Sequence, residues 1–224
     1  GGYAAVFENG YITIMKGTWK IRVIRVADVP VTYGGKALHN IMNCLPAVLS
    51  AYFWRDIEID DIRLALQTFV PSATQTPGRL NMFQFRHFKF LVDFAHNPAG
   101  LELLCDFVSK MDGDPKVGII SGTGDRRDED IMELGRISGR SFDEIIIRCD
   151  KNLRGRSAEE IIGLLKEGID SVKPDIPTTI IANENEALEY IYANPKQGAL
   201  YTIMCDVVAG ALDKNRELKE REDA

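Results

Sequence analysis

Three short stretches gather side chains that can hold anions, shuttle protons or pair with charged substrates. DFAHNP, residues 93–98, places the carboxylate of Asp93 shortly before His96 and Asn97, in a chain with only three histidines. A carboxylate at a strand end can accept hydrogen bonds, and a histidine at a helix start can donate, accept or carry charge. GTGDRRDED, residues 122–130, sets glycine amides before a helix N-terminus, which suits an anion, and adds Asp125, Arg126 and Asp128. CDKNLRGR, residues 149–156, concentrates Asp150, Lys151, Asn152, Arg154 and Arg156. Taken singly, each has a plain structural explanation: an aspartate that caps the next helix, a packing histidine, a turn, a solvated basic loop. The glycines of 122–130 lack the GxGxxG spacing of a dinucleotide turn.

Their shared placement is what counts. From residue 78 onward, strands read at 82–85, 88–93, 117–121, 144–148, 178–182 and 199–204. Helical patterns at 99–111, 129–142, 158–172, 184–193 and 207–218 follow or separate them. This alternation predicts an α/β unit with a mostly parallel sheet, and the apolar runs VGII, EIIIR and YTIM are those of strands covered on both faces. Ligands of such sheets bind beyond the carboxyl ends of the strands. The three stretches follow three of those ends, so they should meet on one rim. The closing KNRELKEREDA is charged and expected to fray.

The preceding residues are built differently. Asn9-Gly10 between alternating runs, then Lys16-Gly17-Thr18, predict a three-stranded antiparallel meander. A helical stretch, ALHNIMNCLPAVLSAYFW, follows, and a second helix is expected over 57–69 with Asp60 and Asp61 near its first turn. Pro46 belongs in a first turn, or kinks the helix if that begins as early as Ala37. A sheet piece ending in two helices reads as the tail of a domain. PSATQTP, residues 71–77, has linker composition, and the boundary is expected between 76 and 77, giving units 1–76 and 77–224.

A net charge of −6 argues against broad affinity for nucleic acid. The four cysteines, with no CxxC pair, read as reduced buried thiols of a cytoplasmic protein. No apolar run nears the ~20 residues of a membrane span, so no membrane partner is expected.

The motifs HNIMN at 39–43, PGRLN at 77–81, DFAHNP at 93–98, GTGDRRDED at 122–130 and DKNLRGR at 150–156 together resemble the Mur-type ATP-dependent ligases, most closely their cyanophycin-synthesising branch. The resemblance covers nearly the whole chain. It implies a Rossmann-like C-terminal domain preceded by the meander and helical tail of the family's central ATPase domain. It also implies amide-bond formation through an acyl phosphate, with ATP and Mg²⁺ as cofactors. Asn43, with His39 and Asn40 beside it, is carried over to the adenine, and Arg79 and Asp93 to the nucleotide. His96 and Asn97 match the family's DYAHNP signature, with Phe94 replacing its tyrosine. Asp93 and His96 would then stand at the reaction. Asp125, Arg126, Asp128, Asp150, Lys151, Asn152 and Arg154 fall on the rim that takes the amino acid. That branch joins arginine to the β-carboxylate of a polyaspartate backbone. The acids Asp125, Asp128 and Asp150 suit a guanidinium, and Lys151, Arg154 and Arg156 an anionic polymer. A cell-wall peptide or folylpolyglutamate ligase is the alternative within the family. A non-catalytic nucleotide- or peptide-binding module is the alternative outside it, and a homo-oligomer stays open. The family's GxxxxGK[ST] loop is absent and the first residue is Gly1, so the expectation is a C-terminal portion of a longer ligase, inactive alone, whose magnesium ligands lie upstream.

Overall fold

The computed structural model describes residues 1–223, and the chain divides into two compact units, Gly1–Pro71 and Ser72 onward. The first holds the antiparallel meander β1 (Ala4–Glu8), β2 (Tyr11–Lys16) and β3 (Trp19–Arg25). Asn9 and Gly10 both take positive φ, the hairpin geometry that their types favour. Alternation along β2 turns Ile12 and Ile14 into one core, and an extra residue in β3 opposite Ile12 and Thr13 breaks the alternation so that the successive Val23 and Ile24 both join it. Helix α1 (Leu38–Tyr52) buries Ile41, Cys44, Leu45 and Val48 on that core, and α2 (Ile59–Thr68) adds Ile62. Pro46 sits inside α1 rather than in its first turn, because the helix begins at Leu38. At the start of α2 the Glu58 amide donates to Asp61, 2.9 Å away.

The expected linker is mostly part of the second unit. The Thr76 amide donates to the Ser72 carbonyl, the Asn81 side chain donates to that of Thr76, and Ala73 packs on the second core. These contacts place the division five residues before the expected one.

The second unit is a six-stranded sheet in the order β4-β5-β9-β6-β7-β8. Its strands are β4 (Asn81–Gln84), β5 (Lys89–Asp93), β6 (Lys116–Ile120), β7 (Glu144–Arg148), β8 (Thr178–Ile181) and β9 (Leu200–Met204). All neighbours are parallel except the edge pair β4 and β5. Every residue of β9 is buried, as a central, doubly covered strand demands. Helices α6 (Glu184–Ala193) and α7 (Val208–Asp223) cover the face of Phe90, Val92, Ile119 and Ile203. Helices α3 (Pro98–Ser109), α4 (Asp128–Ser141) and α5 (Ala158–Asp170) bury their apolar faces on the other side. A Cβ on Gly135 would lie 2.2 Å from the Leu165 carbonyl oxygen, and one on Gly168 2.0 Å from that of Met132, so α4 and α5 meet backbone to backbone. The charged tail does not fray as its composition suggested. Helix α7 runs through it because Leu218 is buried and the Glu222 carboxylate accepts from the Arg86 amide at 2.8 Å.

Candidate functional site

Strand β5 ends at Asp93, whose buried carboxylate accepts from the Leu80 amide at 2.9 Å. It does not cap the following helix. Asn97 does, its side-chain oxygen accepting from the Gly100 amide at 2.8 Å, with Pro98 opening α3. Burial pushes the Asp93 carboxyl above its ordinary range, against the pull of the Leu80 amide and the Arg79 charge. Arg79 is exposed, its guanidinium 6.0 Å from the centre of the Phe94 ring. The His96 ring also packs on Phe94, ring centres 5.0 Å apart, with Nδ1 3.0 Å from the Phe94 carbonyl oxygen. A carbonyl only accepts, so Nδ1 is the donor in this contact.

The loop after β6 and the loop after β7 lie against each other. A Cβ on Gly124 would come within 2.0 Å of the Leu153 carbonyl oxygen, so a glycine is required at that crossing. Arg156 staples the pair, donating to the carbonyls of Gly124 at 3.0 Å and Arg126 at 2.9 Å while meeting Asp128 at 2.6 Å. Arg154 meets Asp125 at 2.6 Å and holds that exposed carboxyl below its ordinary range. The Asn152 side chain accepts from the Arg154 amide at 2.9 Å, supporting the left-handed backbone there. The N-terminus of α4 carries Asp128, Glu129 and Asp130 in its first turn, so its dipole faces its own acids rather than an open anion site.

The sheet edge thus encloses a cleft of about 150 Å³ lined by His96, Thr123, Arg126, Asp150, Arg154 and Asp206 among others. Four of the sequence-predicted residues, from three different loops, meet there. Arg79, Asp93 and Asn97 flank the end of β5 beside it, while Asp125, Asp128 and Asn152 stand exposed on the loops. Lys151 is also exposed and lines a neighbouring cleft. In the first unit, His39 and Asn40 are half-buried on the first turn of α1, where Asn40 donates to the Val31 carbonyl at 2.7 Å, and Asn43 is exposed one turn on. The three acids expected to await a guanidinium already have partners: Asp125 has Arg154, Asp128 has Arg156 and Asp150 has Arg148.

Sequence reasoning missed four participants. Arg148, 1% exposed at the end of β7, meets Asp150 at 2.6 Å and Glu184 at 3.2 Å, and also donates to the Met204 carbonyl. Burial pushes the Glu184 carboxyl up, with Arg148 opposing. Glu184 in turn accepts from the Asp206 amide at 2.9 Å, and Asp206 from the Lys151 amide at 3.2 Å. One buried cation therefore ties the ends of β7 and β9 to the start of α6. The fourth, Thr123, has a buried hydroxyl in the cleft without a partner among the described residues. The available signal was position: EIIIR ends in a charge on a strand whose pattern is otherwise interior.

All four cysteines are free thiols, and burial pushes Cys205 up to about 12, too high for a nucleophile at neutral pH. Among the described residues, no three or more His, Cys, Asp or Glu side chains are grouped to hold a metal ion. Nor is any of the described helices long and apolar enough to cross a membrane.

Comparison with known proteins agrees with this geometry. The family described as Mur ligase, glutamate ligase domain, matches residues 78–207. The chain is 42% identical to cyanophycin synthetase of Crocosphaera subtropica, over 94% of this chain and 24% of that protein. It is 27% identical to the UDP-N-acetylmuramoyl-L-alanyl-D-glutamate--2,6-diaminopimelate ligase of Caldanaerobacter subterraneus, over 71% of this chain and 32% of the relative. Thus the chain spans about a quarter to a third of the length of these relatives. Among solved structures, Mycobacterium tuberculosis folylpolyglutamate synthase complexed with ADP shares the fold, with a TM-score of 0.65 at 19% identity, over 97% of this chain and 46% of that one.

Proposed function

We propose, from the premise that this chain belongs to the Mur ligase family, that it is the C-terminal portion of an ATP-dependent amide-forming ligase of the cyanophycin synthetase type. The reaction joins an amino acid, arginine in the favoured reading, to a side-chain carboxylate of a polyaspartate backbone. The carrying observation is the meeting of His96, Arg126, Asp150 and Arg154 in one cleft at the sheet's carboxyl edge, in a chain 42% identical to a cyanophycin synthetase. Gly1–Pro71 is read as the end of the central ATPase domain, with His39, Asn40 and Asn43 toward the adenine. The chain alone is inactive in this reading. Its setting is the cytoplasm, where ATP and free amino acids are at hand.

The residues present fit a nucleotide at the β5 end: an exposed cation, Arg79, an aromatic ring, Phe94, and a carboxylate, Asp93, held by backbone amides. ATP would supply the activation of the acceptor carboxylate as an acyl phosphate, and Mg²⁺ would accompany its phosphates. The described residues offer no cluster of metal ligands of their own. Attack by the amine of the amino acid then forms the amide and releases phosphate. His96 lines the cleft with Nδ1 turned to the Phe94 carbonyl, and in this reading its other ring nitrogen takes the proton that the amine loses. Arg126 and Arg154 supply positive charge where the carboxylate and phosphate oxygens gather. Asp125 is exposed, and its pairing with Arg154 can be exchanged, so an incoming guanidinium can displace Arg154 from it.

The test is ATP-dependent incorporation of arginine into a short primer by the intact ligase, with aspartate supplied. Asp93→Ala and His96→Ala should each lower kcat/KM at least tenfold, about 1.4 kcal/mol of transition-state stabilisation. ATP turnover driven by another amino acid instead of arginine would keep the ligase class and move the substrate to a cell-wall or folate type. An absence of any ATP dependence would leave a binding module.

A further inference from the structure

A second cleft, of about 280 Å³, opens beside the first, between the ends of β7 and β9, the start of α6 and the outer face of α7. Asp206 lines both. The terminal nitrogens of Arg148 are engaged by Asp150, Glu184 and the Met204 carbonyl, but its buried Nε–H, on a side chain lining this cleft, has no acceptor among the described residues. Two carboxylates already face that guanidinium, so a third anion would be repelled, whereas a neutral carbonyl oxygen satisfies the donor without added charge. The opposite wall, α7, contributes Asp213, paired with Arg216, and Glu217, paired with Lys214, which also lines the cleft; both carboxylates are largely exposed and therefore open to exchange with a ligand cation. Lys151, on the β7 side, has no ion-pair partner among the described residues and can receive a carboxylate.

We propose that this second cleft binds the finished unit of the polymer: an amide-linked arginine, its amide carbonyl on Arg148 Nε, its guanidinium on Asp213 and Glu217 and its carboxylate on Lys151. The assignment rests on the substrate reading above and extends it. A free amino acid has no amide carbonyl to satisfy Arg148, so the cleft distinguishes product from substrate. A unit completed in the first cleft passes Asp206 to reach the second, which would keep the growing chain on the enzyme between additions.

The probe is the isopeptide β-aspartyl-arginine, titrated calorimetrically into the intact ligase, with free arginine in a parallel titration. The variant is Asp213→Lys/Glu217→Lys, on an exposed helix face, with a thermal melt confirming that it folds. Isopeptide affinity should fall about tenfold in the variant, roughly what is expected for losing two partly exposed charge contacts, while free arginine binding does not move. The KM for primer should rise in step, and the products should shorten. Equal isopeptide affinity in wild type and variant overturns the proposal. Because the titration needs no turnover, the two readings fail separately. Isopeptide binding lost on charge reversal, in an enzyme that adds no arginine, sinks the substrate assignment and keeps the cleft. Arginine addition with unchanged isopeptide binding does the reverse.

Discussion

One sheet edge carries two ionic clusters, one in water and one beneath it, and they divide the labour of the site. In the upper cluster, Asp125 and Arg154 are 45% and 44% exposed. In the lower, Arg148 and Asp150 are 1% and 5% exposed and Glu184 13%. An exposed pair contributes little and exchanges partners easily, while a buried pair that loses one member strands the other in a medium that cannot solvate it. The lower cluster therefore holds the frame, with only Arg148 Nε left for the proposed ligand, and the upper one is the exchangeable surface. Polar charge at a ligand site need not all belong to the ligand.

Arg148→Met is the hardest blow to that distinction, since it leaves Asp150 and Glu184 buried without their cation. It should cost roughly 3–5 kcal/mol of stability in urea unfolding. A loss within the range of a surface pair, about 1 kcal/mol or less, would erase the distinction.

The next effect is one of sign. The Asp93 carboxyl, raised by burial above the ordinary 3.8, holds its proton more tightly in the folded chain than in the unfolded one. Its contribution therefore favours folding below 3.8 and is withdrawn as the pH climbs through the raised value. Asp93→Asn keeps an oxygen for the Leu80 amide and has no proton to lose. Its stability should gain on the wild type as the pH rises through that window, and denaturant midpoints that run parallel across the series would refute it.

Asp125→Asn should have the smallest effect and the opposite pH trend. Arg154 holds that carboxyl below 3.8, so its support for the fold is present above 3.8 and lost as the pH falls through the lowered value. Exposure makes it sensitive to screening. Near 1 M salt, where the screening length is about 3 Å, variant and wild type should converge, whereas the Arg148→Met deficit should persist.

The frame was harder to read in the sequence than the surface. Apolar runs such as EIIIR and YTIM fixed the parallel strands, and Asp93, His96 and the loops at 122–130 and 149–156 follow directly from strand ends. Arg148 looks in sequence like the polar terminus of a strand, because nothing local says that β9 and α6 will close over it. The same holds for Asp206 and Glu184, whose partners are distant along the chain and adjacent only across the sheet. The division falls at the start of PSATQTP rather than at its end, because Ala73 packs on the second core and Thr76 is tied to Ser72 and Asn81. The tail was expected to fray because its charges are local, while Leu218 and Glu222 are held by other elements.

The contact between Gly135 and Gly168 lies away from both clefts, yet α4 follows the loop at 122–130 and α5 the loop at 149–156. A methyl group at either glycine wedges the helices apart, and the displacement reaches the loops joined to their ends. In a saturation-mutagenesis screen scored on product formation, these two positions would therefore register alongside the cleft residues. Only a parallel score for protein abundance would separate the two groups: substitutions at the glycines would deplete the protein itself, and substitutions at the exposed cleft residues Arg126 and Arg154 would leave it abundant and idle.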